Sequence, residues 1–366
     1  MQAIRESTGG SWFLGANTPG GFYSLFSELY EPEEGWRLVI IKGGPGTGKS
    51  SLMKRLASAA EDGGHVCERI YCSSDPDSLD GVILPQLKLS VADGTSPHVL
   101  EPRFPGVSET ILDLGRFRDD AALRAHREEI ISLTKANAQA HKECAGFLKA
   151  AGSVKNETSL LVSEALEPAK LKRFAYRLAE NLCSTLVSGE GRLKRRFLSA
   201  ATPQGILVFY DSFFGACERV IVLEDAFGVA SAKILAVLAE TAVHAGLEAI
   251  ACPCPMQPEG RTEHLLLPAL GIGVCTSNRF HPFPQRAEKK VNCAKFFRED
   301  EIKRIRNRLL FNRKAEGELL DAALAKLREA KRLHDALERY YIRAMDFSAL
   351  NAFAAGWIPA LLEGNA

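Results

Sequence analysis

The run Gly43-Gly44-Pro45-Gly46-Thr47-Gly48-Lys49-Ser50 matches the pattern Gly-x-x-x-x-Gly-Lys-Ser in full. Glycines at such places let the backbone turn with positive φ and bring bare N–H groups against phosphate oxygens. The apolar run 37–41 precedes it as a strand. Ser51-Leu52-Met53-Lys54-Arg55-Leu56 follows with a helical pattern, so the context is the one this motif requires. The helix would aim its positive end at the same anion. Lys49 would offer a mobile cation to the β- and γ-phosphates of a nucleoside triphosphate, expected to be ATP. Ser50 would ligate a bridging Mg²⁺, and the expected nucleotide contacts run from Gly43 to Ser51.

A magnesium site also needs a carboxylate at the end of a neighbouring strand. Leu89-Ser90-Val91-Ala92-Asp93 offers one in Asp93, with Asp113 as the fallback. A further acidic cluster, Ser73-Ser74-Asp75-Pro76-Asp77-Ser78-Leu79-Asp80, follows another predicted strand. Ligands gather at the carboxyl ends of strands in such sheets. Asp75 or Asp77 could orient an attacking water or deprotonate a hydroxyl substrate. The same residues could equally make a turn and cap a helix.

The elements that must carry these groups occur twice. Phe13-Leu14 and Thr18-Pro19-x-Gly21 return as Phe197-Leu198 and Thr202-Pro203-x-Gly205. Leu84-Pro85-x-Leu87 returns as Leu267-Pro268-x-Leu270, and His98 as His281, both 183 residues on. Half of 366 is 183, so the chain reads as one unit written twice. In the first unit, strands at 37–41, 66–72, 88–93 and 109–114 alternate with a helix over 50–60, which predicts a parallel sheet covered on both faces. From Asp119 the period becomes helical. Leu123, Ile130 and Cys144 share one seven-residue register, interrupted by Asn137, and Leu133, Ala140 and Phe147 the interleaved one. Leu171, Phe174, Leu178 and Leu182 give a second seam. Leu320, Ala323, Leu327, Ala330, His334, Leu337, Tyr341 and Ala344 give a longer one. These helices would form packed hairpins or a bundle, or else a coiled-coil arm for a protein partner.

The fold class expected is α/β, a P-loop NTPase-type parallel sheet, internally duplicated, with a long helical hairpin after each half. The boundaries are 1–116 for the active unit, 117–192 for its helical segment, 193–296 for the second unit and 297–366 for the C-terminal helices. Opposite the phosphate loop the second unit carries Asp225-Ala226-Phe227-Gly228-Val229-Ala230-Ser231-Ala232. Asp225 replaces Gly43 and Ser231 replaces Lys49, while Thr276 stands opposite Asp93. Those changes disfavour a polyanion, so the second unit should keep the fold and lose the chemistry. It could still complete the first site through Arg261 or Arg279, or only cover the first unit's face. Cys252-Pro253-Cys254 has no second Cys or His pair at zinc-site spacing, and Cys254 reads as a small apolar residue at a strand end. The basic run Lys303, Arg304, Arg306, Arg308, Arg313 and Lys314 reads as a solvated helix face.

The net charge of +1 argues against a surface built throughout for nucleic acid or anionic membrane. The nine scattered cysteines suit a reducing cytoplasm. Met1–Glu6 lacks the apolar run of a signal peptide, and no stretch suits a membrane span. A homo-oligomer is compatible with this composition.

Gly15-Ala16-Asn17-Thr18-Pro19-Gly20-Gly21-Phe22-Tyr23, the phosphate loop, 72–81 and Asp93-Gly94-Thr95-Ser96-Pro97-His98 stand in that order. Together they resemble a poorly characterised bacterial family of tandem P-loop ATPases, over nearly the whole chain. The resemblance implies ATP binding and hydrolysis, with intact loops in many members' second halves. This chain departs at Asp225, Ala230 and Ser231. A more distant likeness is to RecA-like ATPases, as fold analogy.

Overall fold

Leu38-Val39-Ile40-Ile41 is apolar at every position, so this strand must be covered on both faces. The computed structural model, which describes residues 9–183, 189–284 and 287–364, places it centrally in a six-stranded sheet. Residues 1–6, read above for a leader, lie outside the described segments. The chain begins with β1 (Gly10–Trp12) and the hairpin β2 (Gly15–Thr18) and β3 (Gly21–Ser24). Then come β4 (Arg37–Lys42), α1 (Lys49–Asp62), β5 (Glu68–Tyr71), β6 (Leu79–Leu84), β7 (Leu89–Asp93) and β8 (Glu109–Asp113). Helices α2 (Asp120–Arg124), α3 (Arg127–Glu164) and α4 (Pro168–Cys183) end this half.

The second half follows the same plan. It has β9 (Arg192–Arg195), the hairpin β10 (Ser199–Thr202) and β11 (Gly205–Val208), and the short α5 (Tyr210–Gly215). Next are β12 (Arg219–Glu224), α6 (Val229–His244), β13 (Glu248–Cys254), β14 (Gln257–Leu267), β15 (Ile272–Ser277) and β16 (Lys289–Asn292). Helices α7 (Glu299–Arg304), α8 (Arg306–Arg343) and α9 (Phe347–Leu362) close it. The sheets run β1-β5-β6-β7-β4-β8 and β9-β13-β14-β15-β12-β16. Place for place, the two orders are the same.

Neither sheet is wholly parallel, which corrects the expectation. β6 lies antiparallel to β5 and β7, and β14 antiparallel to β13 and β15. A parallel neighbour needs a crossover of a dozen residues or more. The turn at Pro85–Leu87 between β6 and β7 is far too short for one. The end of the acidic cluster, Leu79-Asp80, makes no helix cap but opens a strand that is buried at every position.

The repeated Thr-Pro-x-Gly motif also acquires a reason. Thr18 Oγ1 donates to Gly21 O at 2.7 Å and accepts from Gly20 N at 3.2 Å. Thr202 Oγ1 makes the matching pair at 2.8 and 3.2 Å. Gly21 and Gly205 take φ of 102° and 117°, which favours glycine in these hairpin turns. Phe13 and Phe197 then exchange two backbone hydrogen bonds, both 2.9 Å, across the join between the halves.

The helices depart from the expected hairpins. α3 runs antiparallel along α8 rather than folding back on α4. Asn137, the polar break in its seam, donates to Ala330 O at 2.8 Å, and Asn312 donates to Glu157 at the far end. Cys144, Leu148 and Ala151 meet Leu320, Ala323 and Leu327 between them. The terminal helices cross over. α4 packs Leu171, Ala175 and Leu178 onto the core around Ile234 and Leu238 of α6, while α9 packs Leu350, Ala354 and Ile358 onto that around Leu52 and Leu56 of α1. Each half's last helix therefore covers the other half's sheet. In the basic run, Lys303, Arg304, Arg308 and Lys314 pair with surface carboxylates. Among the described residues no helix is long and apolar enough to cross a membrane.

Leu327 is 1 % exposed in the α3–α8 seam. Leu327→Ala should cost about 2–5 kcal/mol and lower the melting temperature of the whole chain. A parent-like melt would show that the seam lies outside the cooperative unit.

Candidate functional site

The corner between β4 and α1 is built from backbone. Gly43, Gly46 and Gly48 have φ of 154°, 67° and 89°, and a Cβ at Gly43 would meet Thr47 Oγ1 at 2.7 Å. Thr47 Oγ1 donates to Gly44 O at 2.9 Å, tying the turn together. Lys49 starts α1 and folds back over the loop, its Nζ donating to Gly44 O at 2.6 Å and Gly43 O at 3.2 Å. Asp93 ends β7, beside β4 in register with Ile41, and its Oδ2 stands 3.6 Å from Lys49 Nζ. Its other oxygen accepts from Thr95 N at 2.8 Å and Thr95 Oγ1 at 2.6 Å, which leaves Oδ2 turned to the lysine. Ser50 Oγ accepts from Leu79 N at 3.0 Å, and Ser51 is exposed. Asp113, at the end of edge strand β8, caps the next turn through Gly115 N.

The acidic cluster divides. Asp75 accepts from Ser78 Oγ at 2.8 Å and faces Lys331 Nζ at 3.5 Å, while Asp77 is exposed. The carboxylate whose charge is felt alongside Asp93 and Lys49 is Asp80, which is 5 % exposed. A bulge between β5 and β6 skips Asp80: Ile70 pairs with Gly81, but Tyr71 pairs with Leu79. Such bulges re-aim a side chain out of strict alternation. His98 Nε2 lies 3.7 Å from Asp80 Oδ1, with its ring stacked on Phe26 at 4.5 Å between centroids. Burial, opposed by His98 and reinforced by Asp93, pushes the Asp80 carboxyl up to about 6. In the sequence Asp80 was only the last member of the acidic cluster; its paired histidine, 18 residues on, was visible only as a repeated landmark.

The loop is also covered from outside, by a helix that begins 256 residues after Ser50. Glu338 of α8 accepts from Gly46 N at 3.0 Å. His334 stands 3.5 Å from the same carboxylate oxygen, and hydrogen bonding from His334 holds Glu338 below the usual carboxylate range against the effect of burial. A Cβ at Gly44 would meet Tyr341 at 2.6 Å, and one at Gly48 would meet Leu350 of α9 at 3.0 Å. The anion-seeking amide is thus satisfied by a carboxylate from the other half. Nothing local in Asp335-Ala336-Leu337-Glu338 signals this.

The second corner satisfies itself. Asp225, 2 % exposed, accepts from Ser231 N at 2.8 Å and Phe227 N at 3.1 Å, so its carboxylate occupies the start of α6. Arg261 Nη2 donates to Phe227 O at 2.7 Å and fills the space beside Gly228, where a Cβ would meet it at 1.3 Å. Arg279 donates to Arg313 O and Glu316. Both arginines are therefore engaged within the second half, and neither contacts the first loop among the described residues.

Comparison with family models, with curated proteins and with solved structures gave no match to this chain.

Asp80 supplies a test of the geometry. Its carboxyl titrates at about 6 in the folded chain against an ordinary 3.8, so folding favours the protonated form. The stability it contributes is full below about pH 4 and falls away as pH rises through about 6. Asp80→Asn should therefore be the more stable protein at about pH 7.5, by on the order of 1–3 kcal/mol, with the gap closing below about pH 4. Thermal melts across that range decide it, and a pH-independent gap would contradict the assignment.

Proposed function

We propose that this chain is a magnesium-dependent ATPase with one nucleotide site, at the loop Gly43–Ser51, and that its two halves are copies of one P-loop unit of which the second is a pseudo-site. The observation that carries the reading is Lys49 at the head of a three-glycine turn, 3.6 Å from a carboxylate ending the adjacent strand. The shared strand order and the reciprocal Phe13–Phe197 contact support duplication. The buried Asp225 carboxylate supports loss of anion binding in the second copy. All nine cysteines are free, which suits a cytoplasmic protein.

The residues divide the work. The amides of 43–50 and the start of α1 receive the phosphate tail. Lys49 exchanges the carbonyls of Gly43 and Gly44 for phosphate oxygens, which places a cation on charge that grows during transfer. Ser50 and Asp93 would hold Mg²⁺, whose charge would offset that of the phosphates. Asp80, titrating near neutrality in a dry pocket, accepts the proton of the attacking water, with His98 positioned to stabilise the carboxylate. Glu338 must leave Gly46 N for the tail to bind, so nucleotide entry moves α8, and with it α3. That exchange of one anion for another is what links the site to the helices.

The same contact favours a second reading, a nucleotide-sensing switch in which displacing Glu338 is the output and turnover is negligible. Steady phosphate release from Mg·ATP supports the ATPase, and tight binding with turnover below about one per hour supports the switch. Under either reading, Lys49→Ala should cost roughly 10²–10³ in affinity or rate. Glu338→Ala removes a competing anion and should tighten ATP binding roughly tenfold. Calorimetry showing no heat with the Glu338 variant would sink both.

A further inference from the structure

In the second sheet, β14 carries a histidine between two thiols. Cys252 of β13 and Cys275 of β15 both pair in register with His264. Immediately beside it the β13–β14 ladder slips, with Cys252 opposite His264 but Pro253 opposite Thr262. Glu263 is the residue skipped, and the bulge brings its carboxylate toward His264 instead of sending it to the opposite face. His281, from the loop after β15, completes the group. Glu263, His264 and His281 are 2, 1 and 4 % exposed, and each offers a ligand atom within 4.8 Å of the others.

Their hydrogen bonding is incomplete in a particular way. Cys275 Sγ lies 3.0 Å from His264 Nδ1, fixing that ring, while His264 Nε2 has no partner. Glu263 Oε2 and His281 Nδ1 lie 3.2 Å apart as a buried ion pair. A buried polar atom without a partner is destabilising. The unpartnered Nε2 of His264 converges on the Glu263–His281 pair, which makes this cluster a place for one shared cation. Tetrahedral zinc, with bonds of about 2.0–2.1 Å, sets nitrogen and oxygen ligands about 3.4 Å apart, close to the Glu263–His281 separation of 3.2 Å. Glu263 and His281 also line a cavity of about 40 Å³ with Asn17, Lys155 and Cys254, space enough for a water. The buried amide nitrogen of Asn17 is likewise without a partner.

We propose that Glu263, His264 and His281 bind a zinc ion, with the fourth position facing this cavity. Two imidazoles and a carboxylate are a donor set that zinc accepts, and the His264–Cys275 contact is the outer support that orients a ligand ring. The Cys252–Cys254 pair flanks the site without forming it. At the same registers the first sheet has Asp80 in its bulge and His98 beside it, but Gly81 where His264 stands and Ala92 where Cys275 stands. The third ligand and its support are thus particular to the second half, the half whose loop is closed by Asp225.

The test uses the full-length protein grown with added zinc. Elemental analysis after desalting should find about one zinc per chain, and zinc returned to chelator-treated protein should raise its melting temperature. His281→Gln and Glu263→Gln should each reduce zinc affinity at least roughly tenfold, while keeping the circular dichroism spectrum of the zinc-free parent. His264→Gly, which restores the residue found at this place in the first sheet, guards against misfolding of the other two. Lys49→Ala should retain its zinc, which separates this site from the nucleotide loop. Folded parent protein with below about 0.2 zinc per chain and no thermal response overturns the proposal, as do folded variants that bind zinc like the parent.

Discussion

A helix that starts straight from a strand leaves backbone N–H groups pointing into a corner, and those groups need an anion. Both halves of this protein meet that requirement, by opposite means. At the second corner the anion is Asp225, part of the loop itself, buried and bonded to two amides. At the first it is Glu338, brought from the other end of the chain and bonded to one. The first arrangement is fixed by covalent neighbours and has no room for a ligand, since Arg261 also fills the turn. The second joins the loop to a separate helix, since Glu338 sits on α8, 292 residues from Gly46.

The interleaving of the halves gives that contact its reach. α9 seals α1, α4 seals α6, and α3 and α8 pair along their length, so each sheet is covered by a helix from the other half. Tyr341 and Leu350 press against bare glycines of the first loop, and Lys331 holds Asp75. A displacement at Gly46 is therefore transmitted to the α3–α8 pair by packing alone. In the proposed ATPase this is the route from phosphate to long-range motion.

The equivalent registers of the two sheets also show how one scaffold accommodates different chemistry. The bulge at Asp80 and the bulge at Glu263 both bring a carboxylate beside a buried histidine. In the first sheet the neighbouring strand end carries Asp93, 3.6 Å from the lysine of the loop. In the second those places hold Thr276 and Ser231, and a histidine and a thiol have entered the interior instead.

The amino-acid sequence by itself determined the strand–loop–helix corner, the placing of Asp93 at the end of a strand, the recurrence of the Thr-Pro-x-Gly motif and the carboxylate that stands in the second corner at Asp225. These depend on residue type at short range: glycine for positive φ, an apolar run for a buried strand, a carboxylate where an amide waits. Tertiary structure alone decided that β6 runs antiparallel, that Asp80 rather than Asp75 or Asp77 is buried beside His98, that the long helices pair across the halves, and that Glu338 caps the first loop. Each of those outcomes rests on a contact between residues whose local patterns are indifferent to one another. A bulge moves Asp80 by one register, and a residue 292 positions away supplies an acceptor that any carboxylate could have been. Only the packed chain brings such pairs within bonding distance.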